Sequence, residues 1–460
     1  KMREKHQKQM PLMATLMDLD EVKQMQAISE IVDAKPIICE YVLQDLIRGK
    51  AKGSVKGANG MTAEQVLRAA LVYRIHDCTY RSLAFHLEDS TLIRWFCRLG
   101  IADKGFTKTT LNDNIKAISV QTWQAIHTEI LEVAEEEGIE KGREVRIDCT
   151  CVDTDIHPPS DSSLLWDGVR VITRLIEGAR DDYGVKVPGF HNHTRVAKRR
   201  MLSIVNAKRK NARKAAYRDL LKATGKVLGY AQKAVDRIKE DLTLDPMVMG
   251  LAALIDQYAD LTQKVVTQTE RRVMHGEQVP ASEKVVSIFE PHTDIIVKDR
   301  RETLFGHKVC LAGGASNLIL DCWVLEGNPA DSDLTVPMLD RQKQIYGRYP
   351  LKISLDGGFA SKANLAKAKS RQIKDVCFAK RRGLKETDMC RSHYVYRRLR
   401  RFRAGIEAGI SWLKRSLGLT RCTWKGWRSF QSYVWSGVVA ANLLTIARAK
   451  LKPMKPKLAT

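Results

Sequence analysis

The ten residues LKISLDGGFA, at positions 351–360, decide the fold. Leu351, Ile353 and Leu355 alternate with polar residues, the pattern of a half-buried strand. The strand stops at Asp356, where Gly357 and Gly358 follow. A second stretch, REVRIDCT at 143–150, reads the same way. Val145 and Ile147 share one face, and Asp148 lies near the strand's end. A strand holds its backbone rigidly, and a residue at its end points into the crevice beside the sheet. Two such strands, each ending on a carboxylate, predict an α/β core with a metal-binding crevice.

Working outward, further short apolar runs rich in β-branched residues lie at 285–289, 307–312, 317–325 and 375–379. Helical spacing covers 333–346 and 361–370 between them. The expected core is a mixed sheet of about five strands flanked by helices, built from 141–160 and 284–420. Residues 161–283 intervene as a large helical insertion. Its most basic part, 195–241, reads as one long helix. Lys208, Arg209, Lys210, Arg213 and Lys214 lie on it, and so one-sided an excess of cations suits phosphate contacts. On the N-terminal side, 61–140 is all-α, with short helices joined by tight turns. That pattern suits a helix-turn-helix-like DNA-binding domain, with Lys108, Thr109 and Thr110 facing DNA. Residues 1–60 form a helical arm that ends in the glycine-rich basic linker at 49–60, which also suits a DNA-tracking arm. Residues 421–460 form a final apolar helix and a basic tail.

The net charge is +24, which points to a polyanionic partner, most simply nucleic acid. No apolar run approaches the ~18–20 residues of a membrane span, and the basic N-terminus has no apolar signal core. The ten cysteines contain no CxxC pair, so a zinc site is not indicated, and reduced thiols are expected. A cytoplasmic, nucleoid-associated protein follows from these features, with no membrane partner.

A third carboxylate lies in RAGIEAGISWLKR at 403–415. In a helix turning roughly 100° per residue, Glu407 and Lys414 fall within about 40° of Arg403. One face then carries a carboxylate flanked by two cations, which suits metal beside a phosphodiester. Asp148, Asp356 and Glu407 in one pocket repel one another unless cations bind there. Two magnesium ions about 3.5–4 Å apart meet that demand, with manganese able to substitute.

Taken together, RIDCT around Asp148, SLDGGFAS around Asp356, and the Arg403, Glu407, Lys414 helix resemble the three catalytic blocks of the DDE transposases of bacterial insertion sequences. The passage IHPPSDSSLLWDGV at 156–169 is similar to the segment after the first Asp in the ISNCY-type branch. The resemblance implies an RNase H-like core, a catalytic and metal-binding set of Asp148, Asp356 and Glu407, and magnesium dependence. It also implies binding of terminal inverted repeats and target DNA, and assembly as a homodimer or larger on paired ends. The expected function is metal-dependent strand cleavage and strand transfer. The alternatives are a catalytically inactive DNA-binding repressor of the same descent, or an RNase H-like structure-specific nuclease. The family's helix has Tyr three positions before the Arg. Here that position is Arg400, and Tyr396 is the nearest tyrosine able to reach the same face. His157 is a candidate to support the first Asp, and Trp166 a candidate to stack on a base.

Overall fold

In the computed structural model, described for residues 4–5, 18–48, 60–240, 246–298 and 302–451, the chain divides into two units. The first joins Lys1–Asp153 to His307–Thr460, and the second is Thr154–Gly306. The linker at 49–59 and the tail at 452–460 lie outside the described residues.

Seven helices open the first unit: α1 (Asp20–Ala34), α2 (Ile37–Ile47), α3 (Ala63–Ile75), α4 (Tyr80–Asp89), α5 (Thr91–Phe96), α6 (Lys108–Ile115) and α7 (Val120–Glu136). Their starts are written in the sequence. Thr62, Thr79, Ser90, Thr107 and Ser119 each accept a backbone N–H three residues on, satisfying a donor left unpaired at a helix N-terminus. At α3 the cap is reciprocal, since Gln65 bonds back to the Thr62 N–H at 3.1 Å. A buried ion network ties α1 and α3 to the residues just after α5. Arg68, wholly buried, donates to Glu64 at 2.9 Å and Asp33 at 2.6 Å. Arg98 reaches the same two carboxylates at 2.9 and 2.7 Å.

β1 (Glu144–Thr154) follows and leads into α8 (Asp161–Tyr183), α9 (Thr194–Asn206), α10 (Lys210–Glu240) and α11 (Pro246–Thr269) of the second unit. The expected single helix over 195–241 is two helices. The chain leaves helical geometry at Ala207, just before the adjacent cations Lys208, Arg209 and Lys210. Like charges with no acid within a turn disfavour a continuous helix there. The strand expected at 285–289 is absent. Ser287 Oγ accepts from the N–H groups of Phe289 and Glu290 at 3.2 and 3.1 Å, turning the backbone instead. The hairpin β2 (Asp294–Lys298) and β3 (Glu302–Gly313) comes next.

The rest of the first unit is β4 (Ile319–Val324), α12 (Asp331–Tyr346), β5 (Lys352–Leu355), α13 (Lys362–Ser370), β6 (Asp375–Phe378), α14 (Glu386–Met389), α15 (His393–Ser416), β7 (Arg421–Cys422) and α16 (Trp427–Leu451). The described sheet has seven strands rather than about five, in the order β2-β3-β1-β5-β6, with β4 also on β3 and β7 on β1. β1, β5 and β6 run parallel, and β3 is antiparallel to β2 and β4.

The N-terminal helices do not form a separate body. They share one core with the sheet and with α16. α16 is apolar nearly all round, so it must be buried on every side. It packs on α1, α3, α7 and β4. A buried amide in it, Asn442, accepts from the Ile319 N–H at 2.9 Å and donates to its carbonyl at 2.7 Å. The second unit has its own core, built from α8 to α11. No helix among the described residues is long and apolar enough to cross a membrane.

Candidate active site

The parallel register of β1 with β5 places the first two carboxylates side by side. Ile147 pairs with Leu355, so the next residues on the two strands are Asp148 and Asp356. Asp148 is not near the end of its strand, as the sequence suggested, because β1 runs on to Thr154. It is the pairing with β5 that ends at Ile147, where β5 stops at Leu355. The crevice opens at that point.

α15 brings the third carboxylate. Arg403 Nη1 lies 3.4 Å from Asp148 and 3.3 Å from Asp356, and its Nη2 lies 2.5 Å from Glu407. One guanidinium thus touches all three acids predicted from sequence. The side chains are graded in exposure: Asp148 18%, Asp356 40% and Glu407 57%. The site is a crevice with a half-buried floor and an open rim. At the floor, burial pushes the Asp148 carboxyl up to about 6, and the charges of Asp356 and Glu407 push the same way. The Cys149 N–H, at 2.8 Å, and Arg403 only partly oppose this.

Two further residues fix α15 in place, and sequence reading missed both. Arg146 sits two positions before Asp148 and so shares its strand face. It is buried, and it donates to the Phe402 carbonyl at 3.1 Å and to Asn317 Oδ1 at 2.6 Å. Ser354 of β5 donates to the Leu399 carbonyl at 2.9 Å. Carbonyls 399 and 402 lie on one helix face, so these two bonds set the rotation and the height of α15 on the sheet. Gly405 makes this approach possible, because a Cβ there would overlap the Arg146 guanidinium. The sequence signal was available: a charged residue at an inward strand position and a glycine within a helix.

The glycines after Asp356 leave space for neighbouring side chains. A Cβ on Gly357 would meet Lys380 at 2.7 Å, and one on Gly358 would meet Asp331 at 2.5 Å. The pair gives room for these two side chains beside the site.

Other expected residues lie elsewhere. Lys414 is on α15, but it lines a small apolar gap with Thr150, Leu413 and Leu419 and has no ion pair among the described residues. Tyr396 is buried and donates its hydroxyl to the Phe378 carbonyl at 3.2 Å, so it serves the core. Lys108 and Thr109 are exposed at the start of α6, while Thr110 is half-buried and bonded to Thr107. In the second unit, Lys208, Arg209 and Lys210 are exposed at the turn between α9 and α10. Arg213 bonds the Ala207 carbonyl at 3.0 Å, and Lys214 bonds the Met274 carbonyl at 3.0 Å. His157 pairs with Asp167 at 2.7 Å. Trp166 has Arg170 and Lys198 over its ring at 5.0 and 5.9 Å.

The donor set of the crevice is chemically right for a hard divalent cation, since all three groups are carboxylates. Among the described residues no three acidic, histidine or cysteine side chains stand close enough to grip one ion as they are. Arg403 lies where the three converge, so it must turn aside before a metal can enter.

Comparison with known families agrees with this geometry. Residues 297–443 match the family described as Transposase DDE domain, and residues 17–117 match the family described as Transposase domain (DUF772). Both matched families are transposase domains, and the two matches together are consistent with a DDE transposase of insertion sequences. The first match contains Asp356, Arg403, Glu407 and Lys414 but begins after Asp148. The mixed sheet flanked by helices agrees with the RNase H-like core of such a domain. No curated protein and no solved structure matches the chain.

Proposed function

We propose that the chain is a transposase of the ISNCY-type branch that cuts and joins DNA at the terminal inverted repeats of its element. The observation that carries this reading is the convergence of Asp148, Asp356 and Glu407 on one guanidinium. Such a cluster has more negative charge than it can neutralise, and it is open on one side. That is unfavourable for folding alone and suited to recruiting cations.

Asp148, Asp356 and Glu407 would hold one or two magnesium ions, with manganese as a substitute. Bound metal would lower the pKa of an attacking water or 3′-hydroxyl and stabilise the leaving oxygen. Asp148 and Asp356 come from adjacent strands and form the rigid part of the site, while Glu407 closes it from the helix. Arg403, once turned from the carboxylates, is placed to pair with the scissile phosphate. Lys414 would act further along the bound strand. Lys108, Thr109 and Thr110 of α6 would contact the element end. Lys208, Arg209, Lys210, Arg213 and Lys214 would contact phosphates of end or target DNA. Two or more copies would assemble on paired ends.

The test is incubation with magnesium and labelled duplex carrying an element end, comparing wild type with Asp356→Ala. Cleavage followed by joining in wild type alone is expected. Binding without cleavage would mark an inactive repressor. Cleavage confined to branched DNA would mark a structure-specific nuclease.

A further inference from the structure

In the second unit two cavities meet at Asp161, Arg272 and Lys284. The larger, about 520 Å³, also has Arg213, Tyr217, Glu277 and Gln278 in its wall. The smaller, about 320 Å³, is mainly apolar, with Leu164, Val285, Val286, Ile295 and Phe305 among its lining. We propose that this two-lobed cavity binds a nucleotide, its phosphate ester between Arg213, Arg272 and Lys284 and its planar base in the apolar lobe.

The acids in the wall are already engaged. Asp161 accepts two bonds from Arg272 Nη1, at 3.0 and 2.8 Å, and a third from Gln268 at 2.7 Å. Glu277 is held by Arg271 at 2.8 Å. The cations have donors to spare. The Lys284 ammonium has no hydrogen bond or ion pair among the described residues, and the Arg213 guanidinium commits only Nη2, to the Ala207 carbonyl. The Arg272 Nη2 and Nε groups make no bond among the described residues. Tyr217 is buried, which holds its phenol protonated and able to donate. Three cations with unspent N–H groups around one cavity suit a phosphate, which takes several charge-assisted bonds at once. The adjoining apolar lobe is of little use to a bare anion and suits a flat ring.

The backbone is arranged for this. α11 runs directly into a single π turn, Glu270–Met274, that carries Arg272. Such turns are rare and cluster at functional sites. The Lys214 ammonium bonds the Met274 carbonyl at the end of the turn, at 3.0 Å. Arg213 and Tyr217 come from α10, within a stretch from Arg195 to Lys226 that has twelve basic residues against the single acid Asp219. That field favours a strand of nucleic acid over other phosphate carriers. A free nucleotide offers the same contacts. The inference does not rest on the carboxylate site of the first unit.

The experiment is calorimetric titration of the full chain in EDTA, which keeps metal from the carboxylates. Four probes are used: inorganic phosphate, deoxyadenosine 5′-monophosphate, a blunt duplex, and the same duplex with a 5′-phosphorylated single-stranded overhang. The overhang duplex is expected to bind more tightly than the blunt one. Lys284→Ala and Arg213→Ala should each weaken it by about tenfold. Lys284→Arg should restore most of the affinity. Lys222→Ala, exposed on α10 away from the cavity, should change it less than about twofold. Binding of the monophosphate with the same sensitivity to Lys284→Ala, and no gain from the overhang, would support the pocket with free nucleotide as its occupant. Phosphate binding as tightly as the monophosphate would overturn the role given to the apolar lobe. Failure of every probe, or equal affinity in wild type and Lys284→Ala, would overturn the site itself.

Discussion

Two clusters of acids and arginines in the first unit use the same chemistry for opposite ends. Among the N-terminal helices, Asp33 and Glu64 face Arg68 and Arg98, two charges against two, each guanidinium bonded to both acids. At the crevice, Asp148, Asp356 and Glu407 face Arg403 alone. The consequences appear in the titration of the deepest acid of each. Burial pushes Glu64 up, but Arg68 and Arg98 outweigh it and the carboxyl ends below its ordinary value. Asp148 ends at about 6, because burial and its two acidic neighbours together outweigh Arg403. A balanced buried cluster stabilises a fold once formed, and an unbalanced one waits for a partner.

The largest effect that would sharpen this contrast is on activity. Asp356→Ala should reduce end cleavage by roughly 10⁴-fold or more, since residues acting as one unit fail together. The same change should leave the melting temperature unchanged or raise it, because it removes a like charge from beside Asp148. A cooperative loss of folding instead would break the comparison. Arg68→Ala should do the reverse. Leaving Asp33 and Glu64 to share the Arg98 guanidinium alone, with the wholly buried site of Arg68 emptied, is expected to cost about 3 kcal/mol in denaturant unfolding. Metal affinity at the crevice, measured on the folded fraction, should not change.

Gly405→Ala tests the link between the sheet and α15. The added methyl must displace either the Arg146 guanidinium or the helix that carries Arg403 and Glu407. A shift on the order of 1 Å is expected to lower cleavage by about 10²-fold with a smaller loss of stability. An unchanged rate would show that α15 need not be held so closely.

The pH profiles of the two clusters should slope in opposite directions. Glu64, with a lowered pKa, contributes stability above its unfolded value of 4.5, and that stability is lost as pH falls through the folded value. Asp148 is raised from 3.8 to about 6, so the native state binds the extra proton and stability falls as pH rises between those values. The cost is roughly 2–3 kcal/mol without metal, and Asp148→Asn should flatten it. Metal requires the same proton to leave, so manganese affinity should climb steeply as pH rises through about 6. A flat profile would remove Asp148 from the ligand set.

Much of the crevice was legible in the sequence because strands announce themselves by alternation. Asp148 and Asp356 each follow an alternating run, and the helical period placed Arg403 and Glu407 on one face. The seating of α15 was not legible. It depends on Arg146 reaching carbonyl 402 and on the empty space at Gly405, and both are contacts across more than 250 positions. Lys414 does not join the three acids for a related reason: angle around a helix says nothing of distance along it, and Lys414 lies two turns beyond Glu407. The N-terminal helices were found, but their merger with the sheet through α16 was not, because periodicity identifies a buried face without naming its partner. The break at Ala207 and the turn at Ser287 were missed because side-chain and like-charge effects overrode apolar spacing.

The central claim is that Asp148, Asp356 and Glu407 bind divalent metal in the place Arg403 now fills. Anomalous diffraction from crystals of the full chain soaked in manganese measures this directly. The account predicts one or two manganese peaks within about 2.5 Å of all three carboxylates, with the Arg403 guanidinium turned away. Saturating manganese with no peak there, and Arg403 still bridging the three acids, would contradict it.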